Sequence, residues 1–176
     1  MIHGIDVSKW QGKMDWGKAL AAGAHYAYLR AGSIDAISGK CYVDEQFEAN
    51  YAGAAGRLPI GCYWYLRLDK DPVLQAKFFL GLMEHKVFQL PPVIDVEMAG
   101  SAVAVSKFAE VLVSALGGLP MIYTRANVWD NLLGDKSFAK GFFLWIAHYD
   151  VAVPNLPKTW PAWDVWQYRS GDDGSV

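Results

Sequence analysis

The sequence is short of everything that would mark a metal site, a disulfide scaffold or a membrane span. Only two cysteines, Cys41 and Cys62, stand in 176 residues, and spacing alone leaves open whether they pair. The four histidines are scattered without ligand spacing, so no metal or other cofactor is expected. No apolar run reaches the ~18 residues of a membrane span. Met1 leads straight into a strand-like stretch, without the basic and apolar regions of a signal peptide. Action outside the cytoplasm would therefore need release by other means. A net charge of -2 offers nothing to nucleic acid or to an anionic membrane. No repeat, low-complexity segment or long linker divides the chain, and its length suits one domain over residues 1–176. Oligomeric state is not legible.

Aromatic residues, by contrast, are plentiful at 14%, with eight Trp and nine Tyr. Packing between helices and strands accounts for about half of them; stacking on sugars and drying a groove would both use the rest. Strand-like and helix-like stretches alternate. HGIDV and HYAYLRAG read as strands around the helix MDWGKALAAGA, whose Trp16, Ala19, Leu20 and Ala22 share a side. Residues 33–42 read as a loop, and Asp44 as the N-cap of the helix DEQFEANYAGAAG. LPIGCYWYLR, LPPVIDVEM and LPMIYTR follow as strands, with DPVLQAKFFLGLMEH and SAVAVSKFAEVLVSAL as the helices between them. After Leu133 helices thin out and two further strands, FFLWIAHYD and AWDVWQY, follow one another. This alternation predicts a parallel sheet of βαβ units, barrel-like, regular early and stripped down late.

PPVIDVEMAG, residues 91–100, carries the chemistry. Side chains alternate along a strand, so Val93, Asp95 and Glu97 share one face and Ile94 and Val96 the other, with i and i+2 ~6.6 Å apart. The apolar flanks make this a central strand, where unpaired acids are costly. Paired carboxylates on such a face serve glycoside hydrolysis, or a metal. In α/β barrels functional groups sit at the C-terminal strand ends. Asp6, Arg30, Tyr63 or Tyr65, Asp95 with Glu97, Tyr123, and His148 or Tyr149 all fall near such ends. Each has a bland alternative. Asp6 alone could be a turn residue, Arg30 a counter-charge to buried acids, and Tyr63, Tyr65, Tyr123 and Trp145 core aromatics. Trp166 and Gln167 lie on opposite faces of one strand, so simple alternation lets only one of them enter a pocket.

With GIDVSKWQG, DEQFEANYAGAAG, PIGCYWY, VIDVE, MIYT, LWIAHYD and WDVWQY assembled, the chain resembles the glycoside hydrolase family 25 muramidases, the Chalaropsis-type lysozymes. The likeness runs over nearly the whole chain. It implies a modified TIM-type (β/α)5(β)3 barrel that cleaves the β-1,4 bond between N-acetylmuramic acid and N-acetylglucosamine in peptidoglycan, acting on the cell wall. Carried over, Glu97 matches the general acid, Asp95 its partner in the DxE motif, and Asp6 the first-strand acid across the pocket. Tyr63, Tyr65, Tyr123, Trp145 and Arg30 are the implied substrate contacts. Net retention is implied, through either the substrate's acetamido group or a covalent aspartyl intermediate. The family pattern continues past WQY into a last strand with Val-Asp-x-Asn, whereas this sequence reaches SGDDGSV; that strand is expected to be missing, and Asp172 and Asp173 are not given its acid's role.

Two other functions compete. One is a glycan-binding module of the same fold that has lost turnover. The other is a metal-dependent hydrolase or deacetylase, which the absence of His at ligand spacing counts against.

Overall fold

The computed structural model describes residues 2–170. Along them run β1 (Gly4–Val7), α1 (Trp16–Ala21), β2 (Tyr26–Ile34), β3 (Cys41–Val43), α2 (Phe47–Ala54), β4 (Ile60–Tyr65) and α3 (Pro72–Met83). β5 (Val93–Val96), α4 (Ala102–Leu116), β6 (Met121–Thr124), α5 (Ala126–Asp130), β7 (Phe143–Ala147) and β8 (Val165–Gln167) follow. Two 3-10 turns, Lys9–Gln11 and Ser137–Gly141, complete the set.

The two long helices are bounded by their own sequence. Asp71 caps α3 by accepting from the Val73 and Leu74 N–H groups, and Pro72 sits in the first turn, where no N–H is needed. Ser101 caps α4, which ends at Gly117 in the left-handed conformation. α4 buries Ala102, Val105, Phe108, Ala109 and Leu112, a stripe at helical spacing. α3 and α4 pack on each other, with Phe79 stacked on Phe108 at 6.2 Å between ring centres.

The strands form one sheet in the order β1-β2-β4-β5-β6-β7-β8, parallel at every step. Period-two alternation gives it two apolar faces. Leu29, Cys62, Trp64, Ile94, Ile122, Leu144 and Ile146 point outward into the core shared with the helices. Tyr28, Val93, Met121, Tyr123, Trp145 and Ala147 point inward and pack on one another. Two inward positions are glycine because rings occupy their side-chain space: a Cβ on Gly4 would meet the Tyr26 ring at 2.2 Å, and one on Gly61 the Tyr28 ring at 2.2 Å.

The sheet curls until its first and last strands approach. Gln167 Nε2 of β8 donates to Asp6 Oδ2 of β1 at 2.9 Å, and His3 Nδ1 lies 3.2 Å from the Tyr168 hydroxyl. Among the described residues no backbone ladder joins β1 to β8. The architecture is an α/β half-barrel of curled parallel sheet with helices outside.

Three expectations need correction. Residues 33–42 are not a loop throughout. β2 runs on to Ile34 and β3 returns antiparallel to it, pairing Ile34 with Cys41 and Gly32 with Val43. Asp35 makes the turn by accepting from the Ile37 and Ser38 N–H groups, and Gly39 supplies a φ of 66°. Asp44 is buried and caps early: it takes the N–H groups of Gln46 and Lys9, tying the first 3-10 turn to the approach of α2, which opens at Phe47. α1 is one short turn and a half, and Leu20 and Ala22 are exposed rather than buried with Trp16 and Ala19.

Candidate active site

Curling the sheet brings the inward acids of two strand ends, β1 and β5, to one place. Asp6, Tyr63, Asp95, Glu97, Tyr123 and Trp145 line a single pocket of about 60 Å³. Its level is set by register: Tyr65 pairs with Asp95, Asp95 with Tyr123, and Tyr123 with Trp145. The floor is apolar and rigid. Trp145 is clasped between Tyr28, at 4.9 Å, and Tyr123, edge-on at 5.0 Å.

Asp6 and Asp95 are held above the ordinary carboxylate range. Burial, and then the charge of Glu97, push Asp6 up to about 6, against the pull of the Gln167 amide. Asp95 is pushed well above the usual carboxylate range, first by burial and next by Glu97; Arg30 opposes the shift. Its Oδ1 is buried without a hydrogen-bond partner. The side-chain hydrogen bond with Glu97 and the charge of Asp6 raise Asp95 further. Asp95 lies within β5 and is buried, whereas Glu97 stands just past the strand end and is half-buried. Burial and the nearby carboxylates also raise the phenols of Tyr63 and Tyr123, which keep their protons; that of Tyr123 goes to Gln167.

Of the eight residues singled out from sequence, six line this pocket. Arg30 and Tyr65 stand beside it. The Arg30 guanidinium lies over the Tyr65 ring at 5.3 Å, its Nε buried and unpartnered, and its charge steadies Asp95. That is the counter-charge role. Of His148 and Tyr149, the histidine is structural: its Nδ1 accepts from the Asn155 N–H at 3.0 Å. Tyr149 belongs to the site through Gln167. Among the described residues no group of three His, Cys, Asp or Glu is arranged to hold a metal ion. Asp172 and Asp173 lie outside the described residues.

The matching family model is that of the glycosyl hydrolases family 25, over residues 5–174. The chain belongs to that family. Lysozyme M1 of Streptomyces globisporus is 30% identical over 96% of this chain and 62% of its own length. The autolytic lysozyme of Clostridium acetobutylicum is 33% identical over 99% of this chain and 52% of its own. The chain thus spans between half and two thirds of these two relatives. A family 25 lysozyme structure from Aspergillus fumigatus superposes with a TM-score of 0.81 at 27% identity, covering 97% of this chain and 88% of that one.

Two further residues of this family 25 chain reach the site without having been singled out. Gln167 accepts from the Tyr123 and Tyr149 hydroxyls at 2.7 and 2.8 Å and donates to Asp6. Alternation allowed either Gln167 or Trp166 to enter; Trp166 is the one that turns outward, its Nε1 donating to the His148 carbonyl. Arg125, directly after β6, sets its guanidinium 5.2 Å from the Tyr149 ring centre. Its position in MIYTR was the available signal, since a cation at a strand end faces the same mouth as the acids.

Proposed function

We propose that this chain is a muramidase, hydrolysing the β-1,4 bond between N-acetylmuramic acid and N-acetylglucosamine in cell-wall peptidoglycan. The observation that carries the reading is the convergence of Asp6, Asp95 and Glu97 in one aromatic-floored pocket of a family 25 chain. The lysozyme names of its relatives agree with it. The finer fold reading is a (β/α)5(β)3 barrel, supported by the helices that follow the early strands and their near absence between β7 and β8.

Glu97, at the mouth, delivers a proton to the glycosidic oxygen as the bond to C1 breaks. Asp95 lies deeper, beside Glu97 and within reach of the same sugar. It also faces the positive charge growing at C1, or the acetamido group that attacks it. Water then adds at C1 and returns its proton to Glu97, which restores the pair. Tyr63 donates a hydrogen bond to the sugar, Trp145 and Tyr65 supply apolar faces, and Arg30 limits the repulsion among the acids. A binding module without turnover gains nothing from three acids crowded into one pocket, at a cost in stability.

Digestion of purified peptidoglycan, with analysis of the released ends, tests this. New reducing ends on N-acetylmuramic acid are expected. Reducing ends on N-acetylglucosamine, or peptides released with the glycan intact, would refute the assignment.

A further inference from the structure

Gln167 joins three groups that come from three different strand ends. Its Oε1 receives the Tyr123 hydroxyl at 2.7 Å and the Tyr149 hydroxyl at 2.8 Å, and its Nε2 reaches Asp6 Oδ2 at 2.9 Å. Each phenol has a single proton, and both point at the same amide oxygen. With its oxygen so occupied, the amide can turn only its N–H to Asp6. The flipped amide would set Oε1 against Oδ2, two acceptors with a proton between them only if Asp6 were neutral. In the observed orientation both phenols donate to Oε1 and the amide N–H faces Asp6 Oδ2, an arrangement that favours an ionised Asp6.

We propose that Gln167 is a positioning residue for the first-strand acid, holding Asp6 as an anion with Oδ2 turned toward β8 and the rest of the carboxylate left to the pocket. The proposal rests on the muramidase reading for its consequence in catalysis, though not for the hydrogen-bond geometry. Besides its own backbone N–H, the charged and titratable groups that face Asp6 among the described residues do little to hold its charge. From the β5 end come Glu97 and Asp95, which repel its charge; from β2 and β4 come the neutral phenols Tyr26 and Tyr63. Arg30 is turned to Asp95 and Tyr65, and beyond β8 Tyr168 is taken by His3. Burial and Glu97 drive Asp6 toward protonation, and the Gln167 N–H opposes them.

The test is the titration of the Asp6 carboxyl, read by carbon NMR in the intact chain, beside the pH profile of peptidoglycan cleavage. In Gln167→Met the Asp6 midpoint should rise by about one pH unit, the usual scale of a lost hydrogen bond to a carboxylate. The acid limb of kcat/KM should move with it, costing about tenfold on that limb and much less on the plateau. Gln167→Glu keeps the size and the phenol contacts but sets a second carboxyl against Asp6, so it should move the midpoint further in the same direction. A purely structural Gln167 would lower the melting temperature and depress activity equally at every pH. An unmoved Asp6 midpoint in either variant overturns the proposal. Absence of cleavage by the parent at any pH would count against the muramidase reading alone, because the carboxyl titration still reports on Gln167.

Discussion

At the scale of single residues, the site depends on where two protons sit. Glu97→Gln keeps size and most hydrogen bonding but removes the transferable proton. Cleavage of peptidoglycan should fall by roughly 10²–10⁴-fold, while a substrate whose leaving group needs no protonation should be largely spared. Equal loss on both substrates would deny Glu97 the acid's role. Asp6 makes the opposite case, a charge the fold tolerates at a cost. Its midpoint rises from 3.8 to about 6 on folding, so its contribution to stability is full below the lower value and is lost as pH rises through the higher one. Asp6→Asn should therefore melt higher than the parent at about pH 7.5 and should lose that advantage near pH 3.5, while cleaving poorly at both. A melting advantage independent of pH would show that repacking, not charge, is responsible. The alternation of VIDVE made this acid pair legible in the sequence, because a period of two needs no knowledge of partners. Gln167 was left open because an amide declares its role only through what it touches.

At the scale of elements, the loop from β4 to α3 is fastened by one buried glutamine. Gln75 Oε1 accepts from Trp64 Nε1 and from the Arg67 N–H, both at 3.1 Å, and its Nε2 donates to the Arg67 and Asp71 carbonyls. This holds in place the segment that leaves Tyr65 beside the acids. Gln75→Leu would leave two N–H groups buried without acceptors and should cost about 2–5 kcal/mol, read as a lower urea midpoint. Adding Trp64→Phe removes one orphaned donor, so the double variant should lose less than the sum of the two singles. Strict additivity would mean that water reaches the loop and fills the vacancy. The helical stripe of Val105, Phe108 and Leu112 announced α4, and Asp71-Pro72 announced the start of α3. The β2–β3 hairpin was missed because its turn is built from Asp35 and Ser38 side chains rather than from a two-residue glycine turn. The register shift in β2 between Arg30 and Gly32 was equally silent, since a bulge leaves no mark on a strand that is apolar on both faces.

At the scale of the whole molecule, the strand order follows the sequence, with the short β3 set aside, so neighbours in the chain are neighbours in the sheet. That is why alternation of strands and helices sufficed to anticipate a curled parallel sheet, and why positions near strand ends sufficed to gather most of the site. The approach of β8 to β1 was beyond such reasoning. It depends on the curvature accumulated across the whole sheet, and on rings such as Tyr26 and Tyr28 lying where Gly4 and Gly61 leave room.

The hydrogen bond between Asp6 and Gln167 spans 161 positions of the chain, and this has a consequence for the order of events during synthesis. A nascent chain emerges from its N-terminus, and its early strands can pair as soon as they leave the ribosome. The strands that carry and flank Asp95 and Glu97 are all made before the amide that meets Asp6. The acid cradle is completed only when β8 arrives. A chain whose synthesis stops short of Gln167 therefore carries Asp6 without its amide partner, however much of the rest of the sheet it has.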